Sequence, residues 1–188
     1  MPDAILHEGR YLRLRCRDDW EYAERTNARA AVIVVALTPD DRIVFVEQYR
    51  IPIDARSIEM PAGLVGDLGD EETIEEAARR ELLEETGWAA EGIEFLMAGP
   101  SSSGMSNEQI AFVRATGLRR VGPGGGDASE SIVVHEVPRR EAPAWLFARM
   151  QEGYSIDPKL YAGLYFLERN PDGGRIETRS DPGEHAGE

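Results

Sequence analysis

Cysteine is nearly absent from this chain of 188 residues, in which Cys16 is the only one. A single cysteine excludes a disulfide within the chain and fits a reducing compartment. Long apolar runs are also missing: no stretch approaches the ~20 residues that a membrane-spanning helix needs, and the N-terminus lacks the basic-then-apolar order of a signal peptide. We therefore expect a cytoplasmic protein without a membrane partner.

Positive charge is scarce as well. Asp and Glu number 35 and Lys and Arg 21, which gives a formal net charge of -14 at pH 7. Such a charge argues against non-specific binding to nucleic acid or to an anionic membrane surface. It also means that a phosphate-bearing substrate would have to be recruited by local arginine residues and metal ions, against the field of the whole protein.

The clearest local pattern is an acidic helix that ends at a glycine. From Thr73 to Glu85 the chain has neither Gly nor Pro and is rich in Ala, Glu, Arg and Leu, and Gly87 follows, so we predict a helix. Glu81, Glu84 and Glu85 should then point in roughly the same direction. Like charges at this spacing destabilise a helix by roughly 0.2–0.5 kcal/mol per pair. A divalent cation would offset that repulsion, although a solvated acidic face is the plainer alternative.

The spacing around this helix resembles the Nudix box, G-x5-E-x7-R-E-U-x-E-E-x-G-U, in which U is a bulky apolar residue. Residues 66–88 read GDLGDEETIEEAARRELLEETGW, and only the last, Trp88, is unusual in size. The resemblance implies hydrolysis of a nucleoside diphosphate linked to another group, with Mg²⁺ as cofactor and Mn²⁺ as a substitute. It also implies the α/β/α sandwich of the Nudix family, with a mixed sheet and an N-terminal antiparallel strand pair.

The resemblance assigns roles to the residues of the box. Glu81 and Glu85 become the main metal ligands, and Glu84 becomes an additional ligand with a catalytic role. Arg80 also counts with the catalytic residues, because it and Glu72 would support the ligands by ion pairing across the junction of loop and helix. The planar guanidinium of an arginine suits that task, since it can hold carboxylates bidentately.

Hydrophobic patterns and turn residues predict the other elements. The continuous apolar run Ala30–Leu37 predicts a strand that is covered on both faces. Ile51–Ala62 carries two prolines and is predicted to be mainly loop, and Gly122–Ser129 is predicted to be a flexible loop. Further strands are predicted at Arg10–Arg17, Trp20–Arg25, Arg42–Tyr49, Ile93–Ala98, Glu108–Ala115 and Ser131–Val137, and helices at Ala142–Glu152 and at Asp157–Arg169, the latter capped by Asp157 with Pro158 first.

These elements predict three regions. Residues 1–29 form N-terminal strands for dimerisation and base stacking, residues 30–169 form the hydrolase domain, and residues 170–188 form a polar tail that is expected to be flexible.

Two segments outside the box resemble ADP-ribose pyrophosphatases and related nucleotide-sugar hydrolases. They are VEQYR, which ends at Arg50, and IEMPAG, which contains Glu59 and Ala62. The resemblance implies a nucleoside diphosphate sugar as substrate, with Arg50 on its phosphates, Glu59 positioning substrate or metal-bound water, and the Ala62 carbonyl on a metal. Alternatively, Arg50 is an ordinary surface arginine and Glu59 pairs with Arg56.

Three residues near the N-terminus resemble the substrate-binding residues of the same subfamily. Tyr11 and Trp20 lie where it places two aromatic residues that sandwich the base, and Arg25 matches an arginine near the substrate. Stacking on a base contributes ~1–3 kcal/mol. In that subfamily the two aromatics come from different subunits, which implies a homodimer. The alternative is that Trp20 packs on its own sheet.

Hydrolysis of a diphosphate also needs a base that removes a proton from water. In the subfamily this base is a glutamate on a mobile loop before the strand that precedes the last two helices. Glu130 occupies that place, after a glycine-rich segment. Glu136 is a weaker candidate because it lies inside the predicted strand, and Asp127 is a third.

One departure leaves the substrate open. ADP-ribose pyrophosphatases usually have a proline in the segment after the box, and Ser103 stands there instead. Because proline fixes φ and preorganises a loop, this change puts the preference for ADP-ribose in doubt. GDP-mannose, NADH or a dinucleoside polyphosphate is the alternative substrate. A non-catalytic sensor of ADP-ribose is a further alternative, which the complete set of box carboxylates disfavours.

Overall fold

The computed structural model describes residues 3–67, 69, 71–126 and 131–176. Two turns of 3₁₀ helix, Ile51–Ile53 and Arg139–Glu141, accompany three α-helices, which are α1 (Ile74–Thr86), α2 (Ala142–Gln151) and α3 (Lys159–Phe166). The strands are β1 (Asp3–Glu8), β2 (Leu12–Arg17), β3 (Trp20–Arg25), β4 (Ala30–Ala36), β5 (Arg42–Arg50), β6 (Ala55–Glu59), β7 (Ala62–Val65), β8 (Trp88–Ala89), β9 (Gly92–Pro100), β10 (Gln109–Thr116), β11 (Arg119–Arg120), β12 (Val133–Pro138) and β13 (Ser155–Ile156).

Two four-stranded mixed sheets form the centre of the fold. One has the order β7-β4-β10-β9, with β4 and β10 parallel, and the other has the order β12-β5-β6-β13, with β6 and β13 parallel. Strands β1, β2 and β3 form a separate antiparallel sheet, so the predicted N-terminal pair has a third strand. Every residue of β1 is exposed, and the sequence therefore lacks the alternation of apolar residues that would have revealed this strand.

Strand β4 shows how the layers form. Val32 and Val34 are fully buried in one core cluster with Leu82 of α1. Ile33 and Val35 belong to a second cluster, which contains Leu146 of α2 together with Leu160 and Phe166 of α3. Since successive residues of a strand point to opposite faces, helices cover β4 from both sides. The predicted α/β/α arrangement is confirmed, with two mixed sheets in the middle layer.

The segment that the sequence predicts as mainly loop, Ile51–Ala62, contains β6 and the start of β7. Its two prolines had argued against strands, but neither lies inside one. Pro52 is in the 3₁₀ turn, and Pro61 lies between the strands, where its carbonyl accepts a hydrogen bond of 2.8 Å from the Val34 amide. Helix α3 begins two residues later than predicted, although Asp157 Oδ1 accepts from the Lys159 amide at 3.0 Å, as a capping side chain does.

Helix α1 agrees with its prediction to within a residue at each end. Thr73 and Glu76 form a capping box, and Gly87 ends the helix with φ at 73°. A glycine strap, defined as residues 122–126, crosses this end. The Gly125 and Gly126 amides donate to the Glu85 and Glu84 carbonyls at 2.8 and 3.1 Å. The described part of the predicted flexible loop is therefore tied to the helix.

Within the described ranges, no helix combines the length and the apolar character needed to cross a lipid bilayer.

The helix end provides a test of stability. Gly87 has a left-handed backbone, and a Cβ there would overlap the Gly122 carbonyl of the strap. We expect Gly87→Ala to lower the free energy of unfolding by roughly 1–2 kcal/mol from the backbone alone, as measured by urea denaturation. Gly104→Ala is the matched control, because a Cβ at Gly104 meets nothing within 4 Å, and its effect should stay within ~0.5 kcal/mol. Equal effects of the two variants would contradict this account.

Candidate active site

A cavity of about 510 Å³ lies where α1 faces β6, β7 and the turn before α3. Its wall contains six of the residues that the sequence analysis selected, namely Arg25, Arg50, Glu59, Ala62, Glu81 and Glu85. Residues from segments far apart in the chain thus meet around one space. The volume lies in the range of ~300–1,000 Å³ that is usual for small-molecule sites.

The glutamates of α1 divide between the cavity and its edge. Glu85 is 3% exposed, and its carboxylate accepts a hydrogen bond of 3.0 Å from the Ala62 amide. The Glu81 carboxylate lies so close to Gly63 that a Cβ on that residue would overlap it. Glu84 is half-exposed and is not in the cavity wall. Consecutive helical residues are about 100° apart, so Glu84 does not share the direction of Glu85. The prediction that all three glutamates point in roughly the same direction is therefore wrong for Glu84.

Arg80 connects the glutamates to the loop that precedes the helix. Its Nε donates to Glu72 at 2.9 Å, and its Nη1 donates to Glu81 at 2.8 Å and to Glu84 at 3.3 Å. Its Nη2 donates to the Leu64 carbonyl at 3.1 Å. Burial alone would lower the pKa of Arg80, but the hydrogen bonds and charges of Glu72 and Glu81 more than offset this and hold that pKa above its usual value. The guanidinium is therefore a permanent cation.

The donor atoms of this site suit a hard divalent cation. Glu81, Glu84 and Glu85 offer only carboxylate oxygens, the ligand type that Mg²⁺ and Mn²⁺ prefer. Burial raises the pKa of Glu81 to about 7, and the charges of Glu84 and Asp67 add to the effect while Arg80 opposes it. A raised pKa means that the environment of Glu81 disfavours its charged form, and a nearby cation would favour that form again.

The carboxylates of α1 have suitable donor atoms but are not arranged around a common point. In the part of the chain that the structure describes, no three acidic, histidine or cysteine side chains converge as a ready metal cage. The cause is visible in the contacts, because Arg80 binds Glu81 and Glu84 while the Ala62 amide binds Glu85. To hold a metal ion, these carboxylates would have to exchange part of those hydrogen bonds for coordination.

Arg50 and Glu59, which the sequence analysis assigned separately to the substrate, form a bidentate pair. Nε and Nη2 of Arg50 donate to the two oxygens of Glu59 at 2.8 and 2.6 Å. Burial alone would raise the pKa of Glu59, but the hydrogen bond and charge of Arg50 more than offset it, so this pKa lies below its usual value. The alternative pairing of Glu59 with Arg56 is not observed, because Arg56 pairs with Glu47.

The cavity wall includes charged residues that the sequence analysis did not select. Glu108 forms an ion pair with Arg25, and Lys159 Nζ lies 2.7 Å from a carboxylate oxygen of Asp157. One signal was available for Lys159: of the 21 basic residues it is the only lysine. Ser103, the departure from the subfamily pattern, lies in an exposed turn outside the cavity wall.

The two N-terminal aromatics lie outside the cavity. The side chains of Tyr11 and Trp20 are large and apolar, yet these residues are 53% and 62% exposed. The Trp20 indole donates a hydrogen bond of 3.3 Å to the Gly104 carbonyl, which ties β3 to the loop after β9. Packing of Trp20 into its own sheet, the plainer alternative, is therefore not observed.

The candidate bases differ in what the structure shows. Glu130 and Asp127 lie outside the described residues. Glu136 accepts a hydrogen bond of 3.1 Å from the Trp88 indole and forms an ion pair with Arg120, so it has a structural role away from the cavity wall. The Ile132 amide donates to the Gly125 carbonyl at 3.2 Å. The described residues on either side of 127–130 are thus held close to the last turn of α1.

A family model for the NUDIX domain matches residues 27–154. Because the match covers more than half of the chain, the protein belongs to the Nudix family, and it is a Nudix hydrolase. Nudix hydrolases generally use divalent metal ions, which agrees with the oxygen donors of α1.

Several characterised proteins are similar to this chain. It is 33% identical to the methanol dehydrogenase activator of Bacillus methanolicus, over 73% of this chain and 71% of that protein. It is 30% identical to a GDP-mannose pyrophosphatase of Yersinia enterocolitica, over 73% and 74%. An ADP-ribose pyrophosphatase of Mycobacterium tuberculosis is 38% identical over 49% of this chain and 44% of that protein.

The fold agrees with a solved structure. A crystal structure of an ADP compounds hydrolase superposes with a TM-score of 0.68 at 20% identity, covering 89% of this chain and 90% of that one. At this identity the likeness concerns the fold.

The pair of Arg50 and Glu59 yields a prediction about titration. In Arg50→Gln the burial of Glu59 would no longer be offset, so we expect the pKa of Glu59 to rise above its ordinary value of 4.5. A pH titration of the carboxyl ¹³C shifts by NMR measures this value. Arg56→Gln is the control, since Arg56 pairs with Glu47 instead. An unchanged pKa in Arg50→Gln, or an equal rise in both variants, would show that the pair does not control Glu59.

Proposed function

We propose that this Nudix hydrolase is a metal-dependent pyrophosphatase that cleaves ADP-ribose, or a related nucleoside diphosphate sugar, into a nucleoside monophosphate and a sugar phosphate. The observation that supports this most is a single cavity whose wall contains the carboxylates of Glu81 and Glu85 together with three basic side chains, Arg25, Arg50 and Lys159. A cavity that offers carboxylates for a cation and basic side chains for phosphate oxygens suits a diphosphate that is bound together with a metal ion.

Glu81, Glu84, Glu85 and the Ala62 carbonyl would hold the metal ion, which would be Mg²⁺ with Mn²⁺ as a substitute. When bound, such an ion neutralises charge on the phosphoryl oxygens of a substrate. Arg80 keeps Glu81 and Glu84 near each other through its contacts of 2.8 and 3.3 Å. Glu81 and Glu85 therefore present acceptors to the cavity, and Glu84 would join them from its edge.

The basic residues would bind the substrate. Glu59 holds the guanidinium of Arg50 through two hydrogen bonds, so its planar fork is oriented before a phosphate arrives. Lys159 lines the same cavity beside Asp157. We assign Arg50 to the diphosphate. We assign Lys159 to the phosphate that carries the distal sugar, or to that sugar itself. Glu130 would accept the proton of the attacking water, since the described residues near it are held against α1.

We further propose a homodimer in which the N-terminal sheet, residues 3–25, packs against a partner. The support is a set of large apolar side chains that are exposed on this sheet. A patch of that kind marks an interaction surface, and Tyr11 and Trp20 would reach a shared site from it. The exposed residues are Ile5, Leu6, Tyr11, Leu12, Leu14 and Trp20. The single Cys16 and the net charge of -14 support a cytoplasmic protein without a nucleic-acid partner.

The substrate is tested with a panel. Hydrolysis of ADP-ribose, other ADP-sugars, GDP-mannose, NADH and diadenosine polyphosphates is followed with Mg²⁺, with Mn²⁺ and with excess chelator. We expect the highest kcat/KM for a nucleoside diphosphate sugar and no turnover with chelator. Glu85→Gln should be inactive on every substrate, because it removes a metal ligand. Turnover in chelator contradicts the metal requirement, and a preference for GDP-mannose, NADH or polyphosphates contradicts the ADP-sugar assignment. Binding of ADP-ribose without any hydrolysis would identify a sensor.

Trp20 tests the role of the N-terminal sheet. We expect light scattering to give the mass of a dimer and Trp20→Ala to raise KM for adenine substrates by roughly 5- to 150-fold, the equivalent of ~1–3 kcal/mol of stacking. Tyr161→Ala is the control, because Tyr161 is an exposed aromatic residue on α3, and its KM should not change. Trp145 does not serve as a control because it packs on the core. A fully active monomer, or an unchanged KM in Trp20→Ala, would refute the proposal.

Glu130 separates a catalytic role from metal binding. We expect Glu130→Gln to lower kcat by about 10²–10⁴-fold, the usual contribution of general-base catalysis. Its KM and its affinity for Mn²⁺ should hardly change, because the glutamates of α1 are intact. Asp127→Asn and Glu136→Gln are the comparisons. If either of them is inactive while Glu130→Gln stays within a few-fold of the parent, Glu130 is not the base. If all three remain active, no acid of this segment is needed.

A further inference from the structure

The wall of the active-site cavity contains one buried polar side chain to which the proposed function assigns no role, that of Gln48 in β5. The residue is 8% exposed, and no described residue exchanges a hydrogen bond with its side-chain amide. Most buried polar side chains have a partner, because a buried amide without one costs free energy. A buried amide that borders a cavity and has no such partner therefore points to a ligand.

The other polar side chains of this wall already have partners. Each charged one has an ion pair or a hydrogen bond to a described residue, as the pairs Arg25–Glu108, Arg50–Glu59 and Lys159–Asp157 show. A ligand that binds these groups has to share them with the protein or displace a partner. A ligand that binds Gln48 displaces no described side chain.

The pairing of β5 with β6 places Gln48 beside the residue that we assign to the diphosphate. Alternate residues of a strand share one face, so Gln48 and Arg50 both lie on the face that borders the cavity, while Tyr49 lies on the other. Gln48 is opposite Ser57, and Glu59 lies two residues further along β6 on the same face. Along the strand direction, Gln48 is midway between the two members of the hydrogen-bonded pair of Arg50 and Glu59.

The same sheet leads to the residue that we assign to the distal sugar. Strand β13 lies on the other side of β6, with Ser155 opposite Ser57, so Gln48, Ser57 and Ser155 form one row across three strands. The chain continues from β13 to Lys159. Arg25, in contrast, belongs to the separate N-terminal sheet. Gln48 therefore shares its sheet with the part of the wall that is assigned to the distal sugar and its phosphate.

We propose that Gln48 is a specificity-determining residue whose amide binds a hydroxyl group of the distal sugar. This inference rests on the proposed function and names a contact that selects the substrate. A side-chain amide offers both a donor and an acceptor. Diphosphate oxygens only accept, and a metal ion would use only the amide oxygen, whereas a hydroxyl group both accepts and donates. A sugar hydroxyl next to the phosphate that Arg50 holds thus satisfies both halves of the amide. A site that binds a hydroxyl in this way discriminates against ligands that lack it.

The experiment compares two ligands that cannot be hydrolysed, with Mg²⁺ present. Both contain α,β-methylene-ADP, in which a carbon atom replaces the bridging oxygen. One carries ribose on its outer phosphate, and the other carries a methyl group and has no distal hydroxyl. Isothermal calorimetry gives their Kd values for the parent, for Gln48→Met and for Tyr49→Phe. Methionine is unbranched like glutamine but has no amide. Tyr49→Phe is the matched control, because Tyr49 is the next residue of β5 and is exposed.

We expect Gln48→Met to raise the Kd of the ribosyl ligand by roughly fivefold or more, the size expected for one or two neutral hydrogen bonds. The Kd of the methyl ligand should change by less than about twofold, and Tyr49→Phe should change neither. Without ligand, Gln48→Met should melt at the temperature of the parent, because no described side chain loses a partner. If Gln48→Met fails to fold by circular dichroism, Gln48→Asn replaces it, since it withdraws the amide by one methylene group, and the same discrimination should be lost.

The proposal is overturned if the variant weakens both ligands equally, which would assign Gln48 to the diphosphate or the metal ion. It is also overturned if the variant weakens neither ligand, or if the parent does not bind the ribosyl ligand more tightly than the methyl ligand. These ligands measure binding alone. An absence of hydrolysis in the substrate panel would therefore contradict the proposed function and leave the result for Gln48 distinct from it.

Discussion

The contacts of Arg80 hold the catalytic half of this molecule together. One guanidinium binds Glu72 in the loop before α1, Glu81 on the helix itself and the Leu64 carbonyl on β7. Glu72 in turn accepts a hydrogen bond of 3.0 Å from the Gly66 amide. The positive charge of Arg80 and the negative charges of Glu72 and Glu81 thereby fix helix, loop and strand relative to one another. A side chain that cannot lose its proton is required, since a neutral residue here would leave buried carboxylates without a counter-charge.

The same interaction also sets the state of the proposed metal ligands. Arg80 is a competitor for Glu81 and Glu84 as well as their support, because the oxygens it binds are those that a cation would need. The Ala62 amide has the same relation to Glu85. Glu81 and Glu85 are thus held in place by hydrogen bonds, and coordination of an ion would trade some of them for stronger electrostatic attraction. The hydrogen bonds therefore place the carboxylates near the positions of metal ligands, and small changes in these bonds would complete the coordination.

The sequence predicts those parts of the fold that depend on local signals. The boundaries of α1 follow from Thr73 and Gly87, and β4 follows from its apolar run. Strand β7 is missed because it pairs with the distant β4, and β1 is missed because it buries nothing that would mark it. Strand β6 is missed because Pro52 and Pro61, which lie on either side of it, favour a loop. In the site, the spacing of the Nudix box identifies the acids. The pairing of Arg50 with Glu59 and the presence of Lys159 in the cavity depend on tertiary packing, so spacing alone could not reveal them.

The glycine strap couples the backbone at the end of α1 to the segment that follows the strap in the chain. Its amides bind the backbone carbonyls of Glu84 and Glu85, while the side chain of Glu85 faces the cavity. A Cβ on Gly124 would overlap the backbone of Thr86, so main chain lies directly against main chain with no side chain between. A contact between two backbones that are packed this closely allows little relative movement. Residues 127–130 follow this contact in the chain, so a displacement of their N-terminal attachment would also move the end of α1. The strap and the last turn of α1 therefore move together, so that a displacement of Gly126 is transmitted to the backbone that carries Glu84 and Glu85.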